Sequence, residues 1–275
     1  MEIIKASGKK EEFREGKLRF SLERAGVDQS TVDEIVGKVT KILRPGITSK
    51  NLLNIVLSLL TRENPAIAAR YNLKGAMMNL GPSGYPFERY FARIMEEHGY
   101  RTKVGEMVKG YCTNQEIDII ATKGEKRLMV ECKHHNSSGA SSDLKVALYT
   151  YARFLDVKEA GERDGGVQFN QAVLATNTKC TSEAIKFAEC RGIKVIAWYY
   201  PKKGNLQDMI EKKNLYPITT LLSLSNYDKK RLLRNNIILA GDLIDVDIDK
   251  LSLESGVAIK ELRALCQEAG RLFNK

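Results

Sequence analysis

Strand-like alternation is concentrated in one stretch of this 275-residue chain, and that restricts its architecture more than any other feature. At the start there is only a short hairpin: Ile3 and Ile4, a turn at Ser7-Gly8, and a charged return ending at Phe13. All other strand patterns fall between residues 100 and 199, at Tyr100–Val104, Gln115–Ala121, Arg127–Cys132, Gln171–Thr176 and Lys194–Tyr199. Helical patterns are interleaved with them: Phe87, Phe91, Ile94, Met95 and His98 on one face, then Leu144–Leu155 and Thr181–Gly192, with a turn at Gly81–Gly84 and a polar loop at Lys158–Gly166. Mixed order of this kind predicts an α/β sheet with helices packed on it.

The flanks read as helices. Leu18, Leu22 and Ala25 recur at helical spacing, and Ser30–Asp33 reads as a capping box before Val32, Ile35, Val36, Val39 and Ile42. A third helix carries Leu52 to Leu60, and a fourth follows Pro65. Towards the other end, Leu221–Leu224, Leu232–Ile237, Leu243–Leu251 and Val257–Phe273 have helical periodicity and no strand is convincing. The expected domains are 1–79, 80–200 and 201–275.

With 43% hydrophobic and 28% charged residues, the chain is neither disordered nor fibrous. No apolar run approaches the ~20 residues of a bilayer span, and MEIIKASGKK lacks the apolar core of a signal peptide, so no membrane and a cytoplasmic address are expected. The five cysteines are scattered without a CxxC, which predicts reduced, mostly buried thiols rather than disulfides or zinc. The net charge of +10 is spread along the chain and favours polyanionic partners.

The middle block carries the chemistry. In Gln115–Ile120, alternation puts Ile117 and Ile119 on one face and Glu116 and Asp118 on the other. In Met129–Lys133, Glu131 and Lys133 share a face. If the two strands pair through Lys123-Gly124-Glu125, Asp118 and Glu131 meet, with Lys133 beside them. Two carboxylates on apolar strands repel each other and resist desolvation, and a divalent cation relieves both costs. Oxygen ligands suit Mg²⁺ (or Mn²⁺), and the Lys133 ammonium can orient an attacking water. Glu116 can serve this site or point to solvent, and at most one of His134 and His135 can face it.

The stretch from GYPFERYFARIMEEHGY to EIDIIATKGEKRLMVECK resembles the PD-(D/E)XK nuclease superfamily, most closely its Mrr-like restriction endonuclease branch, over residues 80–200. The resemblance implies a mixed sheet flanked by helices, with Glu88, Asp118 and Glu131 as metal ligands and Lys133 as the catalytic lysine. Where that branch carries Gln-x-x-x-Tyr on the next helix, this chain has Lys145 and Tyr149.

KASGKKEEFREGKLRFSLERAG, with GITSKNLLNIV and AARYNLK, resembles the ATP-cone, a mainly α-helical regulatory module. The family's nucleotide positions fall on Lys5, Gly8, Glu11, Lys17 and Thr48, which implies ATP or dATP as ligand. Lys5 and Lys17 can flank a triphosphate while Gly8 permits the tight turn. The third block resembles helix-hairpin-helix units in a small α-helical domain, although Asp242, Asp245, Asp247 and Asp249 oppose a phosphate contact along that run.

The sequence therefore predicts a multi-domain α/β protein acting as a Mg²⁺-dependent DNA endonuclease under ATP or dATP control, as a homo-dimer or higher oligomer. The alternative from another class is a non-catalytic, nucleotide-sensing DNA-binding adaptor with a degenerate nuclease core.

Overall fold

The computed structural model describes residues 1–81 and 83–273; Pro82, in the expected Gly81–Gly84 turn, lies outside them. The chain begins with a hairpin of β1 (Glu2–Ile4) and β2 (Lys10–Glu12). Five helices follow: α1 (Glu15–Arg24), α2 (Gln29–Ile42), α3 (Ser49–Glu63), α4 (Pro65–Tyr71) and α5 (Leu73–Met78). Next come α6 (Tyr85–Glu97), β3 (Arg101–Lys109), β4 (Asn114–Lys123), β5 (Lys126–Lys133), β6 (Ser141–Ser142) and α7 (Leu144–Asp164). After these lie β7 (Gln171–Thr176), β8 (Lys179–Cys180), α8 (Ser182–Cys190) and β9 (Lys194–Ile196). The remainder is helical: α9 (Leu206–Lys212), α10 (Asn226–Arg234), α11 (Ile248–Ser255) and α12 (Ile259–Phe273), with two 3-10 turns at Ile218–Thr220 and Ala240–Leu243.

These elements form two compact units. One contains residues 1–77, 137–139 and 216–275; the other contains 78–136 and 140–215.

In the first unit, Leu22, Val32, Val36, Val39, Val56 and Leu60 make a continuous apolar core. Three helix starts are capped by side chains. The Asp28 carboxylate accepts from Thr31 N–H at 3.0 Å, Thr48 Oγ1 from Asn51 N–H at 3.1 Å, and Asn64 Oδ1 from Ala66 N–H at 3.0 Å. The cap of α2 is therefore Asp28, not the expected Ser30–Asp33 box, because Gln29 and Ser30 are already helical. The first and last segments of the chain share this unit. Arg70 Nη2 donates to the Leu272 carbonyl at 2.9 Å, and Thr219 Oγ1 donates to the Ala76 carbonyl at 2.8 Å. Among the later helices two expectations shift. Leu221–Leu224 is a turn, since Ser225 caps α10 through Asp228 N–H, and α11 starts only at Ile248, behind the Asp247 cap.

The second unit is built on a five-stranded sheet in the order β3-β4-β5-β7-β9. β3, β4 and β5 form an antiparallel meander, whereas β5, β7 and β9 are parallel, with α7 and α8 as the crossovers. The face bearing Met129, Ala172, Leu174 and Val195 is closed by Ala147, Phe154 and Val157 of α7 and by Ala184 and Ala188 of α8. α6 packs against β3, β4 and β5 through a stripe that includes Phe87, Tyr90, Phe91 and Ile94, and the Tyr90 hydroxyl donates to the Leu215 carbonyl at 2.7 Å.

α7 runs through most of the expected polar loop at Lys158–Gly166. Its surface is polar, but Val157, Ala160 and Gly161 are buried, and the pairs Lys158–Glu162 and Arg163–Glu159 support the exposed side at four-residue spacing. Gly165, with φ of 67°, ends it in the left-handed conformation. Of the five free cysteines, Cys132 and Cys180 are buried while Cys112 and Cys190 are exposed, so the expectation of mostly buried thiols is only partly met. Among the described residues no helix is long and apolar enough to cross a membrane.

Phe91 is completely buried in the α6 stripe. Phe91→Ala is expected to destabilise the protein by about 3–5 kcal/mol, read as a lowered urea midpoint at unchanged slope.

Candidate active site

The site forms where β4 and β5 separate. Their pairing extends from the turn to Ile119–Val130 and then stops. The next residues on the two strands are Asp118 and Glu131. The Asp118 carboxylate takes over from the ladder: its Oδ2 accepts the Cys132 backbone N–H at 2.7 Å. Glu131 shares the sheet face of Met129, on which α7 lies, and its Oε2 accepts from Arg153 Nη1 of α7 at 2.7 Å. Both members of that pair are nearly buried, with side-chain exposures of 12% for Arg153 and 13% for Glu131. Lys133 follows on the same face of β5, exposed, and makes no hydrogen bond or ion pair among the described residues. Glu88 enters from the first turn of α6, half-buried.

The three acids are electrostatically coupled. Burial, then repulsion from Asp118 and Glu116, pushes the Glu88 carboxyl up to about 7. Burial, then repulsion from Asp118, pushes Glu131 up to about 7 against the pull of Arg153 and Lys133. Asp118 is also raised, mainly by burial, although the Cys132 N–H and Arg153 favour its charged form. Burial and the surrounding acids drive the Cys132 thiol far above its ordinary range, so it is an inert neighbour.

Asp118, Glu131, Glu88 and Lys133 thus lie in one neighbourhood. Among the described residues, no three His, Cys, Asp or Glu side chains converge closely enough to enclose an ion by themselves. The donor set fits a hard divalent cation held by two carboxylates, with water and substrate oxygens completing its shell. Glu116 is exposed and contributes repulsion rather than a contact. His134 packs against the Phe87 ring, with centroids 5.6 Å apart. His135 is turned inward: its N–H donates to Asn177 Oδ1 at 2.8 Å, its Nε2 lies 3.1 Å from Ser142 Oγ, and burial lowers its pKa.

Sequence reasoning missed Arg153. The available signal was spacing: Lys145, Tyr149 and Arg153 recur every four residues on α7, one face of one helix. What the sequence could not show is that this face descends towards Glu131.

The five nucleotide candidates also come together, in the first unit. Glu11 lies between both lysines, 3.4 Å from Lys5 Nζ and hydrogen-bonded to Lys17 Nζ. The Lys17 hydrogen bond, then the Lys5 charge, lowers its pKa. Gly8 turns the hairpin with φ of 79°. Ile4 forms a bridge to Thr48 and donates its N–H to the Ile47 carbonyl at 2.9 Å, which sets the start of α3 beside β1.

Family models match three successive segments of the chain. The model for the ATP cone domain matches residues 1–73, that for the restriction endonuclease domain 81–200, and that for the AF1548-like C-terminal domain 216–273. The fold and these matches define a protein with a restriction-endonuclease-like domain behind an ATP cone domain. The chain is 40% identical over 182 residues to an uncharacterized protein of Archaeoglobus fulgidus, a match spanning 66% of this chain and 99% of the relative. A solved structure titled "Crystal Structure of Protein of Unknown Function AF1548" superposes with a TM-score of 0.60 and 39% identity, over 68% of this chain and 97% of that one. The chain belongs to the AF1548-like family.

Raised carboxyl pKa values mean that the folded protein holds protons the unfolded chain has released. The stability associated with these groups is fully present below the ordinary glutamate value of 4.5 and is lost as pH rises through about 7. A bound divalent cation reverses that loss by favouring the ionised form. The expected melting-temperature increase on adding Mg²⁺ or Mn²⁺ is therefore small at about pH 5.5 and largest above about pH 7.5, and should vanish in Asp118→Asn.

Proposed function

We propose that this protein is a Mg²⁺- (or Mn²⁺-) dependent DNA endonuclease whose activity responds to ATP or dATP bound at the N-terminal hairpin. The observation that carries the reading is the pair of largely buried acids, Asp118 and Glu131, on adjoining strands, with an exposed Lys133 on the strand of Glu131. Placing carboxylates there is costly without a cation, and α6 adds a third at Glu88. Asp118 and Glu131 would hold the metal, with Glu88 at its rim. When bound, the ion would supply charge stabilisation at the reacting phosphate and a more acidic water.

The chain's own groups do the rest. The Lys133 ammonium is unpaired among the described residues and stands where it can donate to the attacking water and offset charge growing on phosphate oxygens. Asp118 is oriented by the Cys132 N–H, and before an ion binds Arg153 holds Glu131. At the hairpin, Glu11 keeps the Lys5 and Lys17 ammoniums in one place, ready for a phosphate chain, beside Gly8 and Thr48.

One observation favours the non-catalytic adaptor reading: Glu131 already has a cationic partner in Arg153. Nicking of supercoiled plasmid separates the two. Wild type is expected to nick with Mg²⁺ or Mn²⁺ and not with chelator present, and Asp118→Asn and Lys133→Ala are each expected to lose about 10²–10⁴-fold in rate. Equal nicking by all three would overturn the catalytic reading.

For the hairpin, ATP or dATP at a hundredfold excess over Kd should add about 2–3 kcal/mol of stability, seen as a raised melting temperature. Lys5→Ala combined with Lys17→Ala should abolish that shift.

A further inference from the structure

We propose that Arg153 is an internal counter-cation that occupies Glu131 until a divalent ion arrives and then passes to a phosphate of the DNA backbone. The inference rests on the nuclease reading above and assigns the site a positioning residue that its sequence motif does not contain.

The geometry of α7 supplies the argument. Phe154 and Val157 anchor the helix on the sheet, which brings the neighbouring Arg153 over the end of β5. Its Nη1 donates to Glu131 Oε2 at 2.7 Å, and its Nη2 donates to the Tyr149 hydroxyl. Its Cζ lies 4.4 Å from the centroid of the Tyr149 ring. A guanidinium has five N–H donors in a rigid fork, and these contacts use only part of it. The Nε is buried without a hydrogen-bond partner. A buried charged donor left unsatisfied is expensive, so a purely structural Arg153–Glu131 pair leaves a cost unexplained.

A phosphodiester would remove that cost. Its anionic oxygens match a planar fork, which is why arginine is favoured at phosphates. The approach is open, because Tyr149, which cradles the guanidinium, is 52% exposed and Lys133 and Lys145 are exposed as well. A divalent ion and a guanidinium cannot both hold Glu131 without mutual repulsion. Metal arrival therefore weakens the hold on Arg153 at the moment a phosphate needs neutralising. The resident pair keeps Glu131 compensated in the meantime.

The test compares wild type with Arg153→Met, which keeps the apolar stem and removes the charge, and with Arg153→Lys, which retains the charge. Mn²⁺ binding is measured by calorimetry at about pH 8, and binding of a short DNA duplex by fluorescence anisotropy with Ca²⁺ in place of Mg²⁺. Arg153→Met is expected to bind Mn²⁺ at least about fivefold more tightly and DNA at least about fivefold more weakly, while Arg153→Lys stays closer to wild type in Mn²⁺ affinity. If Arg153→Met does not fold by circular dichroism, Arg153→Gln is expected to shift both affinities in the same directions. Unchanged or weaker Mn²⁺ binding in the uncharged variant would overturn the competition, and unchanged DNA affinity would overturn the transfer to phosphate. If wild type and Asp118→Asn bind Mn²⁺ alike, the nuclease reading itself fails; if they differ but removal of the Arg153 charge changes nothing, only the present proposal fails.

Discussion

The arrangement of the second unit depends on what happens where the β4–β5 ladder ends. A strand pair that parts inside a protein leaves backbone N–H groups without partners. Here the Asp118 carboxylate accepts the Cys132 N–H, so the strands separate without orphaning that donor. One side chain both closes the backbone and plants a negative charge in a half-buried fork. Glu131 then sits beside it and Lys133 follows on the open end of the strand. The acids are held in place by sheet and helix packing, which is why their charged forms can be made costly without the site collapsing. Preorganisation of this kind is what an electrostatic catalyst requires.

The helices serve the fork unequally. α6 is anchored by a fully buried aromatic stripe and delivers Glu88 from its first turn. α7 crosses the opposite face and delivers Arg153. The acids are therefore approached from one side by a like charge and from the other by an opposite one. That balance explains why both glutamates are pushed up to about 7 even though a guanidinium touches one of them: burial and mutual repulsion outweigh a single partner. The same logic operates with opposite sign in the first unit. There Glu11 lies in the open between two ammoniums and its pKa falls. Two cations around one acid at a tight turn form a surface that keeps net positive charge.

The first and last segments of the chain pack into one unit. The N-terminal helices and the C-terminal helices share hydrogen bonds through Arg70 and Thr219, while the sheet is an insertion between them. The compact units therefore do not follow the linear succession of family matches, because packing depends on which apolar faces meet rather than on chain order.

Much of this was legible in the residues alone. Period-two alternation located β4 and β5 and put Asp118 and Glu131 near each other, because the side-chain period of a strand is fixed by its geometry. The Gly8 turn and the apolar stripes of α2 and α3 were equally plain, being local properties of the backbone and of helix pitch. Other features were not local. The polar surface of α7 hid its last turns, whose buried side consists of only small or single apolar residues. The Asp28 cap of α2 was hidden by a better-looking Ser-Thr pair two residues later. Arg153 was invisible as a site residue because its role comes from how α7 lies across the sheet, 22 positions along the chain from the glutamate it holds. Residue types and spacing determined which groups exist and which strand faces they share; only tertiary packing decided which charges meet, since burial and distance set the sign and size of every interaction among them.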